Sequence, residues 1–283
     1  MKKFTLLSLL LFSLTAGCAT SPTGRSQFMM IPPEYAISQS RSAYIQALTP
    51  FQNDGKLDND PEIAARVRNI TGRLIAQAIK KYPQTRDWDW SIKVIDDPET
   101  VNAWCMAGGK MAIYTGLLQK IQPTDDEIAE VMGHEISHAV ANHTAEKMSW
   151  GAVTTVAVAG VAAGLGDSEN AGAYVAGTAA LAGVGVTLPN SRTAETEADA
   201  MGIELAALAG YDPRAATTLW DKMGKVGGAH PPQFLSTHPA PENRKAILTE
   251  LAQKYMPDYL DKSPRPVYKL KTQSLPPLES VKK

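Results

Sequence analysis

The sequence predicts an α+β domain, mainly helical, with one short β-sheet. Three observations carry this. Apolar residues recur at helical spacing along several long stretches. Alternation of apolar and polar residues is confined to residues 88–94 and to two short runs around Gly108-Gly109. The 283 residues suffice for one large domain or two small ones. The formal net charge of -1 gives no reason to expect nucleic acid or a strongly charged partner.

The first 17 residues read as a signal peptide and not as part of the fold. Lys2 and Lys3 precede an apolar run from Phe4 to Leu14, followed by Thr15-Ala16-Gly17-Cys18. The run is too short for a membrane span, which needs about 20 apolar residues. The Ala-Gly-Cys ending resembles a bacterial lipobox, with Cys18 as the lipidated first residue. Ala19, in place of Asp, resembles outer-membrane sorting. Only two Cys exist, so acylation of Cys18 leaves Cys105 without a disulfide partner. Cys105 reads as a small buried hydrophobe.

Residues 18–33, rich in Ser, Thr, Pro and Gly, read as a tether. A domain over 34–262 follows, then an extended Pro- and Lys-rich tail over 263–283. Helical spacing begins near Pro33 and runs to about Leu48. Pro61 opens a second helix with Ile63, Val67, Ile70, Leu74 and Ile79 as its stripe. Trp88, Trp90, Ile92 and Val94 alternate with polar residues and predict a half-buried strand. Asn102–Met106 and Met111–Thr115 predict a hairpin. The second of these runs could offer an edge to an extended peptide, although an ordinary hairpin is the simpler reading.

The next helix is the one the chain is organised around. Thr124 and Glu127 form a capping-box signature, and Ile128, Val131, Met132 and Ile136 recur at helical spacing. His134-Glu135-Ile136-Ser137-His138 on this helix places both imidazoles on one face, four residues apart, where they can share one metal ion. Two imidazoles suit zinc, which takes about four tetrahedral ligands and lowers the pKa of a bound water to about 7. Glu135 beside the first ligand suits a general base for that water.

Residues 151–188 are rich in Ala, Gly and Val. They read as a hairpin of two small-residue helices, packed closely or lying on a lipid surface, each arm shorter than a membrane span. The helix from Ser191 to Ala209 ends at Gly210. It puts Glu195 and Asp199 on one face, as a third ligand and a group that orients a ligand His. Glu197, roughly 200° away on the helical wheel, is the alternative ligand. Asp212-Pro213 opens a further helix that ends at Gly224 or Gly227. Residues 228–240 form a loop holding His230 and His238, and a last helix spans Glu242–Tyr255.

The motif, the segment Ser191-Arg192-Thr193-Ala194-Glu195-Thr196-Glu197-Ala198-Asp199, and Thr237-His238-Pro239 resemble the gluzincin peptidases of family M48. This group includes the CAAX prenyl endopeptidases and the Oma-type peptidases; the lipobox adds a likeness to its bacterial lipoprotein members. Ser21-Pro22-Thr23-Gly24-Arg25 and residues 102–118 share the likeness, while Ala107 stands where relatives usually carry Pro. The resemblance implies a zincin-type fold and one zinc per chain. Its ligands would be His134, His138 and Glu195, with Asp199 orienting a ligand His and His238 lying over the metal. Metzincins are excluded, since their further Gly and His positions are Ala141 and Thr144 here. His143, about 140° from His138 on a continued helix, reads as structural.

Two functions follow as expectations. The first is a zinc endopeptidase, lipid-anchored at the periplasmic face of the outer membrane. It would act on unfolded or misassembled envelope polypeptides, in association with outer-membrane assembly machinery and without a helical-repeat module. The second is a chaperone-like binding lipoprotein whose zinc is structural, with His238 filling the fourth position.

Overall fold

A computed structural model describes residues 18–165, 188–226, 232–239, 243–270 and 275. The signal-peptide expectation, the second arm of the small-residue hairpin and His230 lie outside the described residues.

The segment expected as a tether is folded from its start. β1 (Cys18–Thr20) pairs antiparallel with β2 (Ser26–Phe28), Cys18 opposite Phe28. Gly24 closes the turn, at φ +90°, with its N–H donated to the carbonyl of Ser21. What holds the hairpin against the domain is polar: Gln27 is buried and donates to the carbonyl of Ala141, 2.8 Å away. Phe28 packs its ring on Trp150.

α1 (Pro33–Asn53) and α2 (Pro61–Lys81) each start at a proline, whose missing N–H is no loss in a first turn. Asp60 caps α2 by accepting from the N–H groups of Glu62 and Ile63. α1 continues five residues past the expected end, through Pro50.

β3 (Ser91–Ile95), β4 (Ala103–Met106) and β5 (Lys110–Tyr114) form one sheet in the order β3-β5-β4, with β3 parallel and β4 antiparallel to β5. Two sequence expectations change here. β3 is buried on both faces: Ile92 and Val94 face the main core, while Ile95 packs with Tyr44 and Leu48 of α1. The polar member of the alternation, Lys93, is buried too, because it pairs with Asp58 at 2.7 Å. And β5, the strand expected to offer an edge, is the central strand; the edges are β3 and β4.

α3 (Thr115–Ile121) leads into α4 (Asp125–Val140), which carries the histidine motif. Its capping box is complete. Thr124 Oγ1 accepts from Glu127 N–H, and the Glu127 carboxylate accepts from Thr124 N–H. Burial works against the ionised Glu127, but hydrogen bonds from Lys222 and Thr218 leave it ionised below its ordinary range. α4 stops at Val140; Asn142, at φ +57°, turns the chain into α5 (His143–Leu165). No described helix is long and apolar enough to cross a membrane.

α6 (Leu188–Leu208) lies against α4 more extensively than any other pair of described elements. The contact is backbone on backbone. A methyl group on Gly202 would sit 2.7 Å from the amide nitrogen of His134, and one on Gly133 would sit 2.8 Å from the carbonyl oxygen of Gly202. α7 (Ala215–Val226), α8 (Gln233–Thr237) and α9 (Arg244–Leu260) complete the helical side. α9 runs through Pro257, further than expected. Of the segment beyond it, the described residues are docked: Tyr268 N–H donates to Gly72, Arg265 to Leu208, and Leu275 is buried.

Gly202→Ala is expected to destabilise the protein by about 1–3 kcal/mol, the range for overpacking a close contact. Gly224→Ala, in α7 with nothing within 4 Å, should stabilise by about 0.5–1 kcal/mol. Urea midpoints at unchanged slope would check both; equal effects would refute the close approach.

Candidate metal centre

α4 presents His134 and His138 one turn apart, with Nε2 atoms 3.0 Å from each other. α6 brings Glu195 between them, its Oε2 3.2 Å from His134 Nε2 and its Oε1 3.3 Å from His138 Nε2. His238, immediately after α8, adds Nδ1 at 3.2 Å from both Glu195 oxygens and 3.3 Å from His134 Nε2. Its ring stacks on Phe234, which is fully buried. One donor atom from each of the four lies within 4.8 Å of every other.

These distances test whether a metal fits. Around a tetrahedral zinc with bonds of about 2.0–2.1 Å, donors stand about 3.3 Å apart. The separations of 3.0–3.3 Å match that edge. The electrostatics agree. Burial opposes ionisation of Glu195, yet the three histidines that surround it hold its carboxylate far below the ordinary range. Burial also opposes a charged His134, but hydrogen bonds to Asp199 and Glu195 hold it up to about 10. Burial pushes His138 well down. Two imidazoles and a carboxylate this close favour a cation among them.

Glu135 is buried beside the cluster without joining it. Its Oε2 accepts the N–H of Cys105 at 3.1 Å, and its Oε1 lies 3.3 Å from His238 Nε2. Burial raises its pKa, with His238 and His134 opposing. A carboxylate so poised can take and return a proton. The edge strand β4 is therefore tied to this carboxylate through the backbone. Burial, then Glu135, pushes the Cys105 thiol well up, so it is a buried hydrophobe and not a nucleophile.

Both candidate ligand rings are held from behind. His134 Nδ1 meets Asp199 Oδ1 at 2.9 Å, and Arg244 donates to the same oxygen at 2.6 Å while lying over the Trp220 ring. Asp199 thus stands behind the ring of a candidate ligand. His138 Nδ1 meets His143 Nδ1 at 2.8 Å, and His143 Nε2 meets Glu197 Oε2 at 3.1 Å. Glu197, the alternative ligand, is not beside the other donors, whereas Glu195 is; Glu197 is buried behind His143, at 5% exposure. His143 does not follow a helical wheel from His138, because α4 ends before it and the left-handed Asn142 swings it back. The sequence reading also missed Arg25, which donates to Glu197, and Arg244. Arg25 lay within the Ser21–Arg25 motif; Arg244 carried no signal.

The model of Peptidase family M48 matches residues 61–252. The mitochondrial metalloendopeptidase OMA1 of Arabidopsis thaliana is 38% identical over 57% of this chain and 31% of its own length. The OMA1 of Schizosaccharomyces pombe is 32% identical over 78% of this chain and 62% of its own. The beta-barrel assembly-enhancing protease of Escherichia coli is 29% identical over 73% of this chain and 42% of its own. The chain thus spans less than two thirds of the length of these relatives. With the match over most of the folded region, and with H-E-x-x-H and Glu195 meeting at one point, the chain belongs to peptidase family M48.

Proposed function

We propose that this protein is a zinc-dependent endopeptidase that hydrolyses misfolded or misassembled cell-envelope proteins. The observation that carries the reading is Glu135: a buried carboxylate beside, and not within, the cluster of His134, His138, Glu195 and His238. A structural site has no use for such a group. His134, His138 and Glu195 would hold the ion. Zinc, when bound, supplies Lewis acidity that makes water a nucleophile near neutral pH. Glu135 would accept the proton of that water and deliver it to the leaving amine, and the Cys105 N–H keeps its carboxylate in register. The β4 edge beside it suits an extended polypeptide.

The envelope substrate is supported by the likeness to the beta-barrel assembly-enhancing proteases of Escherichia coli and Vibrio cholerae, which also makes outer-membrane assembly machinery the favoured partner. A lipid anchor at Cys18, on the periplasmic face of the outer membrane, is supported by the lipobox-like sequence and by the exposure of Cys18. The second reading, a chaperone-like binder with a closed zinc site, draws on one observation. His238 stands where a fourth ligand would, 3.2 Å from Glu195.

Glu135→Gln should keep about one zinc per chain and lose nearly all hydrolysis of an unfolded protein such as casein, since only the proton acceptor is removed. Wild-type turnover in this variant would refute the assignment; a wild type that binds zinc but never cleaves would favour the binder.

His238→Ala should keep zinc and bind a hydroxamate inhibitor at least about tenfold tighter, roughly 1.4 kcal/mol, because the inhibitor no longer displaces the imidazole. Equal inhibition constants would mean that His238 does not close the site.

Cys18→Ser should move the protein from the membrane fraction to the soluble one or leave it as an uncleaved precursor, since stable anchoring needs more than one acyl chain. Unchanged fractionation with no lipid by mass spectrometry would refute the anchor.

A further inference from the structure

His134 and His138 are each backed by a hydrogen-bonded relay that runs through an acidic group to an arginine, and the two arginines come from opposite ends of the domain. Behind His134 stand Asp199 and Arg244, the latter on the last helix. Behind His138 stand His143, Glu197 and Arg25, and the last of these belongs to the hairpin that begins at Cys18. Arg25 is fully engaged. Its Nε donates to Glu197 Oε2 at 2.7 Å, and its Nη1 and Nη2 donate to the two Glu146 oxygens at 2.8 and 2.6 Å. Thr23 Oγ1 donates to the other Glu197 oxygen. Gln27 Nε2 donates to Glu146 Oε2 at 2.9 Å. Glu146, Glu197, His143 and Gln27 are all buried.

The hydrogen-bond geometry of this arm suits one use. For His138 to hold a metal through Nε2, beside Glu195 and His134, its hydrogen must sit on Nδ1, which faces His143 Nδ1. His143 then accepts at Nδ1 and donates from Nε2 to the Glu197 carboxylate. Without an acceptor at Glu197, His143 can turn over, and nothing fixes the tautomer of His138. Without Arg25, Glu197 is a buried charge short of its partner, a costly state.

We propose that Arg25, Thr23, Glu197 and His143 are positioning residues for the ligand ring of His138, and that the N-terminal hairpin is thereby a strap on the metal centre. The proposal rests on the zinc-peptidase reading above. Tightness of metal binding is then set in part by residues 172 positions away from Glu197 in sequence. Outer groups of this kind change metal affinity by about 10–100-fold.

The test uses the full chain and does not need activity. Zinc affinity is measured by competition with a chromophoric chelator, the ligand field by visible absorption of the cobalt-substituted protein, and folding by thermal melting. Four variants are compared with wild type: Thr23→Ala, Arg25→Ala, Arg25→Lys and Glu197→Gln. Glu197→Gln and Arg25→Ala should lose about 10–100-fold in zinc affinity and shift the cobalt bands. Arg25→Lys should recover part of the loss, since lysine keeps the charge without the fork. Thr23→Ala, which removes one hydroxyl and keeps the fold, should show a smaller loss in the same direction. Zinc affinity within twofold of wild type across the series, with unshifted cobalt bands and only melting temperatures changed, would overturn the proposal and leave the hairpin a structural element. A wild type that takes up no zinc would overturn the peptidase reading instead.

Discussion

The close approach of α4 and α6 is the constraint on which the rest depends. Two glycines, Gly133 and Gly202, meet where the helices pack, and neither has room for a methyl group. That contact sets how far His134 and His138 stand from Glu195. Helices separated by ordinary side chains run about 8–10 Å apart between axes. Here the glycines let the helices come closer, and Glu195 sits buried 3.2 Å from one imidazole and 3.3 Å from the other. The glycines sit next to, and not among, the chemical residues. Their function is to let two helix faces carrying charge come together without apolar side chains between them.

Bringing those faces together buries Glu135, Glu195, Glu197, Asp199 and Glu146 with His134 and His143. Lone buried charges on this scale would unfold a domain. The structure answers each with a named partner: Arg244 for Asp199, Arg25 for Glu146 and Glu197, three imidazoles for Glu195, and His238 with the Cys105 N–H for Glu135. The two arginines are among the most distant residues of the domain in sequence, so the site closes only when both ends of the chain are in place. The folded hairpin and the docked C-terminal segment follow from the same demand. The hairpin contributes Arg25, and the extended segment beyond α9 covers α2 and the end of α6.

Much of this was legible in the sequence, for physical reasons that also mark where legibility stopped. Local patterns carried α4: the capping box, the helical stripe and the i, i+4 histidines lie within 15 residues of one another. Glu195 and Asp199 were legible by the same spacing. β3 was legible as a strand but not as a strand buried on both faces, because the ion pair that lets Lys93 be buried comes from Asp58, in a polar break that reads as a loop. Strand order was not legible, since alternation does not say which strand is central. The roles of Glu197 and His143 were hidden by an assumption of helical continuity that Asn142 breaks. Arg25 was hidden because its partners are 121 and 172 residues away, in a stretch whose composition reads as a linker.

The four candidate ligands are not held alike, and the difference bears on how the centre can work. His134 and His138 are fixed by a buried helix and by hydrogen bonds behind each ring. Glu195 is fixed by α6 against that helix. His238 follows a helix of five residues whose one fully buried side chain is Phe234. Phe234 is anchored by its own N–H to Val101, in the loop before β4. Among the described residues, His238 is positioned by its N–H to the Phe234 carbonyl, a stack on Phe234 and contacts to Glu195, Glu135, His134 and His138. Its withdrawal would break no helix–helix packing and leave the other three donors in place, whereas moving any of those three would disturb the core. Segments with few buried apolar contacts open at low free-energy cost. Among the described residues, His238 is thus the least anchored of the four, and it lies on the side of the centre where Glu135 meets the β4 edge.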